Sequence, residues 1–221
     1  MGNKFQKERK IKMKNNNTIF IPIILLIVIL TLSIVDAKAS IVNDYGIAQQ
    51  GFDMNTDYSL KMVQAVCNGN YTSGKEYERL RNIKKKYIGV TDNLNYDDLL
   101  LLSKIVHAEA GSNWLTEEHR QLVASVVINR VNSPEFPNTI YNVIYQKGQY
   151  APVGTSYFKN LIPSARAANS ALRVLVNGSI APSDVVFQAN FKQGGGVYKA
   201  IKDSKLGTTY FCYSSNRRLY K

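Results

Sequence analysis

The chain has 221 residues, a formal net charge of +12 and only two cysteines. That length suits one domain with a real core, and the absence of a C-x-x-C spacing argues against a structural zinc site. The positive balance points to an anionic partner, with nucleic acid or an acidic envelope polymer as the two classes to separate.

The N-terminus separates them. Residues 1–14 carry six Lys/Arg against one Glu, and residues 19–35, "IFIPIILLIVILTLSIV", hold no charge. A run of this length sits at the lower edge of a bilayer span, about 17 to 25 residues, and slightly exceeds a secretory core of about 7 to 15. Ala37-Lys38-Ala39 fits a small-x-small cleavage pattern. Residues 1–40 are therefore expected to form a hydrophobic export helix, either a cleaved signal peptide or a membrane anchor whose basic end stays in the cytoplasm. An exported chain does not meet nucleic acid, so its charge is read as weak attraction to an acidic wall polymer. The membrane is a partner through residues 19–35 if the segment is uncleaved. Cys67 and Cys212 could close a disulfide after export, but their spacing does not decide it.

Residues 41–97 are expected to form a helical neck or linker. Leu60, Met62, Val63 and Val66 fall loosely at helical spacing, "EYERLRNIKKKY" is charged and helical, and "GVTDN" breaks it. Residues 98–221 are expected to be the compact functional domain. "NYDDLLLLSKIVHAEAG" predicts a helix with Asn95 as N-cap, Asp97 and Asp98 at the positive end of its dipole, and Gly111 at its close. A second helix is predicted after Thr116, with Glu117 and Glu118 as first-turn acids. A third is predicted between Pro163 and Asn177-Gly178. "DVVFQA" and "TTYFCY" predict short strands flanking Gly194-Gly195-Gly196, which reads as a mobile flap. Helices first and strands last give an α+β fold, a mainly helical lobe facing a small β-containing lobe across a cleft.

Glu109 stands out within this pattern. Leu102 and Ile105 lie seven and four residues before it, so the three share the apolar face of one helix. Partial desolvation and the negative end of the helix dipole would both raise its pKa, which suits a general acid. The competing reading is a carboxylate paired with an Arg or Lys across the core. His107, Glu109 and His119 are possible metal ligands, but residues two apart on a helix point in roughly opposite directions and no further His exists. No metal and no cofactor is expected, and neither His lies in a recognisable nucleophile context.

The segments "HAEAG", "VVINRVNSPEFPNTIYNVIYQKGQYAPV", "SARAANSAL", "VFQ" and "YFCY" come in an order and near a spacing that resembles the spore cortex-lytic cell wall hydrolase family of SleB/CwlJ type. The resemblance runs from about residue 99 to residue 213. It implies a lysozyme-like catalytic fold, and as substrate the glycan strands of peptidoglycan, cut at N-acetylmuramic acid, with the spore cortex as their source. It also implies one essential glutamate, which is Glu109, and the lytic transglycosylase reaction. Gln149 and Tyr150 match the family's G-Q-aromatic element and would line the sugar cleft by hydrogen bonding and stacking. Trp114 and Tyr210 are further candidates for stacking on sugar, and Asn129 with Arg130 would brace the loop after Glu109. The chain departs from the family at Asn113, where many members carry an acid four residues after the glutamate. A muramidase that uses water, and a non-catalytic wall-binding protein that keeps the fold, remain the alternatives.

Overall fold

The computed structural model describes residues 53–89 and 92–220. The apolar run 19–35, its cleavage pattern and the export helix lie outside these residues. Among the described residues no helix is long and apolar enough to cross a membrane.

Seven α-helices precede three strands in the described residues: α1 Tyr58–Cys67, α2 Tyr71–Ile88, α3 Tyr96–Ala110, α4 Glu117–Val131, α5 Ile140–Ile144, α6 Ser156–Asn160 and α7 Ala165–Asn177, then β1 Val185–Ala189, β2 Val197–Asp203 and β3 Gly207–Tyr213. A short 3-10 turn, Arg217–Tyr220, follows. This is the expected mixture of a helical majority with a small sheet.

The helix ends are set by local chemistry. The Asn95 side chain accepts from the backbone N–H of Asp98 at 2.8 Å, which starts α3. Gly111 closes it, and a Cβ there would stand 2.2 Å from the carbonyl oxygen of His107. Thr116 and Ser164 cap α4 and α7 in the same way, accepting from the N–H groups of His119 and Ala167. α3 and α4 therefore begin at the caps expected from the sequence, and α7 begins just after Pro163 as expected, capped by Ser164.

The core forms where α3 crosses α7 and α4. Leu99, Leu102, Ile105 and Val106 of α3 are fully buried. Each such aliphatic side chain contributes on the order of 1.5 to 3 kcal/mol by leaving water. They pack on the small face of α7, made by Ala167, Ala168 and Ala171, which lets the two helices approach closely. The stretch read as a neck is helical and is packed into this same core, since Met62, Val63, Ala65 and Val66 of α1 belong to it. Residues 53–221 accordingly form one compact unit. Gly74 of α2 is what allows the buried Tyr96 ring to lie against that helix: a Cβ at Gly74 would fall 2.1 Å from the ring. Before α3, Arg81 holds Asp92 through two hydrogen bonds of 2.6 and 2.8 Å, fixing the chain that enters the helix. Cys67 and Cys212 are both free thiols.

α4 is buried along most of its length after the first turn, so Ser125, Asn129 and Arg130 have no solvent to turn to. They bind backbone instead. Ser125 accepts from Ile180 N–H at 3.0 Å, and Asn129 donates to the carbonyls of Pro182 and Val185 at 2.7 and 2.9 Å. Arg130 Nε donates to Val186 O at 2.6 Å. The Asn129-Arg130 pair thus clamps β1, whereas the sequence suggested that it braces the loop after Glu109.

The sheet is antiparallel, in the order β1-β3-β2. β2 was not expected from the sequence, because it is an edge strand of half-exposed and exposed residues with two lysines and no apolar alternation. The triple glycine is not a flap. Gly195 N–H donates to Tyr213 O and Tyr213 N–H to Gly196 O, both at 3.0 Å. A Cβ at Gly195 would sit 2.4 Å from Ser214 O, so the loop is pressed on the end of β3 where only glycine fits.

Candidate active site

Glu109 occupies the last turn of α3, half-buried, at the end of the stripe made by Leu102 and Ile105. Among the described residues it forms no ion pair, which removes the reading of a carboxylate matched to a core Arg or Lys. Its polar neighbour is Gln188 of β1, whose Nε2 lies 3.4 Å from Glu109 Oε2, a long contact for a hydrogen bond. Burial raises the Glu109 carboxyl above its ordinary value, and the Gln188 contact offsets this only in part.

Gln188 ends the "VFQ" segment, and nothing in the sequence around it marks it as a site residue. It reaches Glu109 because β1 is held against α4 by Asn129 and Arg130. Its Oε1 is buried and without a partner. As placed, the amide donates to Glu109 and so favours the carboxylate, which leaves burial as the cause of the raised pKa.

Tyr150 lies beyond Glu109. Burial pushes its phenol up, the Arg130 charge lowers it, and the negative charge of Glu109 raises it again, so the three groups sense one another. The Arg130 guanidinium carbon stands 5.6 Å from the Tyr150 ring centre, 4.9 Å from Phe136 and 6.0 Å from Phe187, an aromatic cage around a buried cation. Tyr150 OH and Arg130 Nη1 are buried without partners. At 7% exposure the Tyr150 ring cannot offer a face for a sugar to stack on. Gln149 points the other way and is exposed.

The other candidates are spread apart. Trp114 is 50% exposed on the loop after Glu109, and the Lys205 ammonium of the β2–β3 turn lies 4.2 Å above its ring. Tyr210 pairs with Ala189 and Ala200, one residue along from the Gln188–Phe211 pair, so its side chain leaves the opposite face of the sheet from Gln188. Lys192 lies 5.9 Å from the Tyr210 ring centre on that face. His107 Nδ1 accepts from Ser164 N–H at 2.9 Å and fastens α3 to α7. His119 packs edge-on against Phe211. The loop after Glu109 is held by Arg166, which donates to Asn113 O at 2.6 Å, and by Arg120, which donates to Leu115 O at 2.8 Å.

The remaining acids are committed elsewhere. Glu117 pairs with Arg173, Glu118 with Lys199 and Asp184 with Arg217. Asp203 caps its own turn through the N–H groups of Lys205 and Leu206. Glu135 accepts from Ser214 and Tyr220.

Residues 116–211 match the family model described as Cell Wall Hydrolase. The cell wall hydrolase match includes Gln149, Tyr150, Gln188 and Tyr210, while Glu109 and Trp114 precede it. Among solved structures, the chain is similar to the catalytic domain of the germination-specific lytic transglycosylase SleB from Bacillus anthracis, at 25% identity over 56% of this chain and 99% of that one, with a TM-score of 0.43. It is also similar to the catalytic domain of the Bacillus cereus SleB protein, at 23% identity over 56% of this chain and 94% of that one, with a TM-score of 0.42. No curated protein is matched by the chain.

Proposed function

We propose that this cell wall hydrolase cleaves the glycan strand of peptidoglycan at N-acetylmuramic acid, with Glu109 as its single acid and base. The observation that carries the reading is a half-buried carboxyl whose pKa is raised by desolvation, with no other carboxylate contributing to the rise. Such a group keeps its proton to higher pH than an exposed carboxyl does and can protonate the glycosidic oxygen as the C1–O bond breaks. The resulting carboxylate then takes the proton of the C6 hydroxyl of the same sugar, whose oxygen closes on C1. One strand leaves with a new hydroxyl and the other ends in a 1,6-anhydro ring. The C6 hydroxyl is already tethered, so it needs no second carboxylate to position it. Hydrolysis would want a second carboxylate about 5 Å away or more to activate water or the sugar, and the neighbouring acids all have other partners. Trp114 and Gln149 are exposed enough to meet sugar, and the strand would run over the end of α3 between the helical and sheet lobes, a lysozyme-like arrangement. Spore cortex is the wall that fits the family resemblance, reached through export by residues 1–40.

Digestion in oxygen-18 water tests the route. The expected muramic-acid-ended fragments take up no label and weigh one water less than hydrolysed ones. Labelled reducing ends as the main product identify a muramidase and overturn the transglycosylase reading.

A further inference from the structure

The first turns of α4 and α7 lie side by side and leave a cleft of about 270 Å³ lined by Arg120, Arg166, Arg173, Glu117 and Asn169. Three guanidiniums converge there against one carboxylate. That carboxylate does little to balance them. Glu117 Oε1 lies 3.2 Å from Arg173 Nε with both side chains more than half exposed, and it also accepts from Gln121 at 2.8 Å. Exposed pairs of this kind contribute little, because water and salt screen them.

Arg120 is the informative residue. It is 5% exposed, its Nη1 reaches one neutral acceptor, Leu115 O, and its Nε is buried with no acceptor at all. No carboxylate forms an ion pair with Arg120 or Arg166 among the described residues. Burial and then the Arg166 charge both work against its ionised form. The Glu117 charge offsets this only in part, so an anion entering the cleft would relieve a buried guanidinium that has no acceptor on its Nε. The planar fork of arginine suits a carboxylate or a phosphate.

We propose that the cleft of Arg120, Arg166 and Arg173 binds a carboxylate of the peptide stem that the muramic acid of the glycan strand carries. This rests on the reading of peptidoglycan as substrate. Arg166 and Arg120 of the cleft also grip the carbonyls of Asn113 and Leu115, which ties it to the loop that leaves Glu109. Asn113 is four residues from Glu109, at most about 14 Å of extended chain. A strand with its sugar at Glu109 therefore brings its own peptide substituent toward these arginines, and an anion there would also fix the loop that bears Trp114.

The test follows the arginine Nε–Hε resonances of the full chain during titration with acetyl-Ala-Glu, a soluble dicarboxylate. Saturable shifts at Arg120, Arg166 and Arg173 are expected, with the affinity read at Arg120 falling about tenfold in the Arg166→Gln/Arg173→Gln double variant. The absence of a saturable shift, or saturation by inorganic phosphate alone, overturns the proposal. In a second arm, the ratio of kcat/KM on peptide-bearing strands to that on strands stripped by an amidase should fall about tenfold in the double variant. An unchanged ratio overturns the proposal, because it leaves the arginines only a structural hold on the loop. A wild-type chain that binds the dipeptide yet cleaves neither strand keeps the carboxylate cleft and overturns the proposed function instead.

Discussion

Replacing Glu109 with Gln should remove activity and, at neutral pH, stabilise the fold. The amide keeps the shape of the side chain and can donate to Gln188 Oε1, which has no partner in the native chain. It has no proton of suitable acidity to give. Loss of a general acid lowers kcat by roughly 100- to 10,000-fold, or about 2.7 to 5.5 kcal/mol of barrier. The stability change follows from the pKa. Burial raises the Glu109 carboxyl above its ordinary 4.5, so the folded chain holds this proton more tightly than the unfolded chain does. Its contribution to folding is fully present below pH 4.5 and is lost as pH rises through the folded value, because the charged form must then stay desolvated. Every tenfold tightening of the folded chain's hold on the proton corresponds to about 1.4 kcal/mol, and each kcal/mol moves the Tm of a domain this size by about 2 to 4 °C. Thermal melts of both proteins at pH 4 and pH 7.5, with turbidity clearance of purified peptidoglycan, check the two halves together. The variant should melt higher at pH 7.5, and the gap should close toward pH 4. A folded variant that clears peptidoglycan like the wild type, or one that melts lower at pH 7.5, refutes the assignment of Glu109 as a desolvated acid.

Asn129→Leu should cost about 2 to 4 kcal/mol in urea denaturation, because the carbonyls of Pro182 and Val185 lose their buried donor. Gly74→Ala should destabilise by about 1 to 2 kcal/mol, since displacing the Tyr96 ring outweighs the gain of about 1 kcal/mol in helix propensity. The Arg81 guanidinium holds Asp92 down from 3.8 to about 2, so this pair stabilises the fold above pH 4 and its contribution is lost as pH falls through about 2. Arg81→Met should therefore lose about 2 kcal/mol at pH 7 and approach the wild-type chain between pH 4 and pH 2, read by chemical denaturation across that range.

What the sequence made legible was local. Asn95 and Thr116 each cap a helix through a side chain acting three residues away, and such signals need no tertiary context. Glu109 was legible for the same reason, since its face is set by Leu102 and Ile105 on the same helix. Gln188 was not, because it meets Glu109 only after 79 residues of chain have folded between them. The Gly148-Gln149-Tyr150 element misled in orientation: a polar and an aromatic residue side by side look equally fit for a sugar, yet packing buries the ring and turns the amide outward. β2 stayed hidden because its pairing with β3, rather than any apolar pattern of its own, makes it a strand. The Arg120 cleft was invisible as well, since its arginines come from two helices that are apart in sequence.

The clamp that α4 places on β1 has a kinetic consequence. Asn129 and Arg130 grip backbone 53 to 56 residues further along, and β3 cannot pair with β1 in its final register until that grip has closed. Closing so long a loop comes late in folding, after the local helices have formed. The amides of β1 and β3 should then exchange with solvent in the same opening event as those of α4, one cooperative unit across both lobes. Glu109 and Gln188 therefore meet only when the last pieces of the molecule assemble, and an unfinished fold leaves the acid in water, without the burial that raises its pKa.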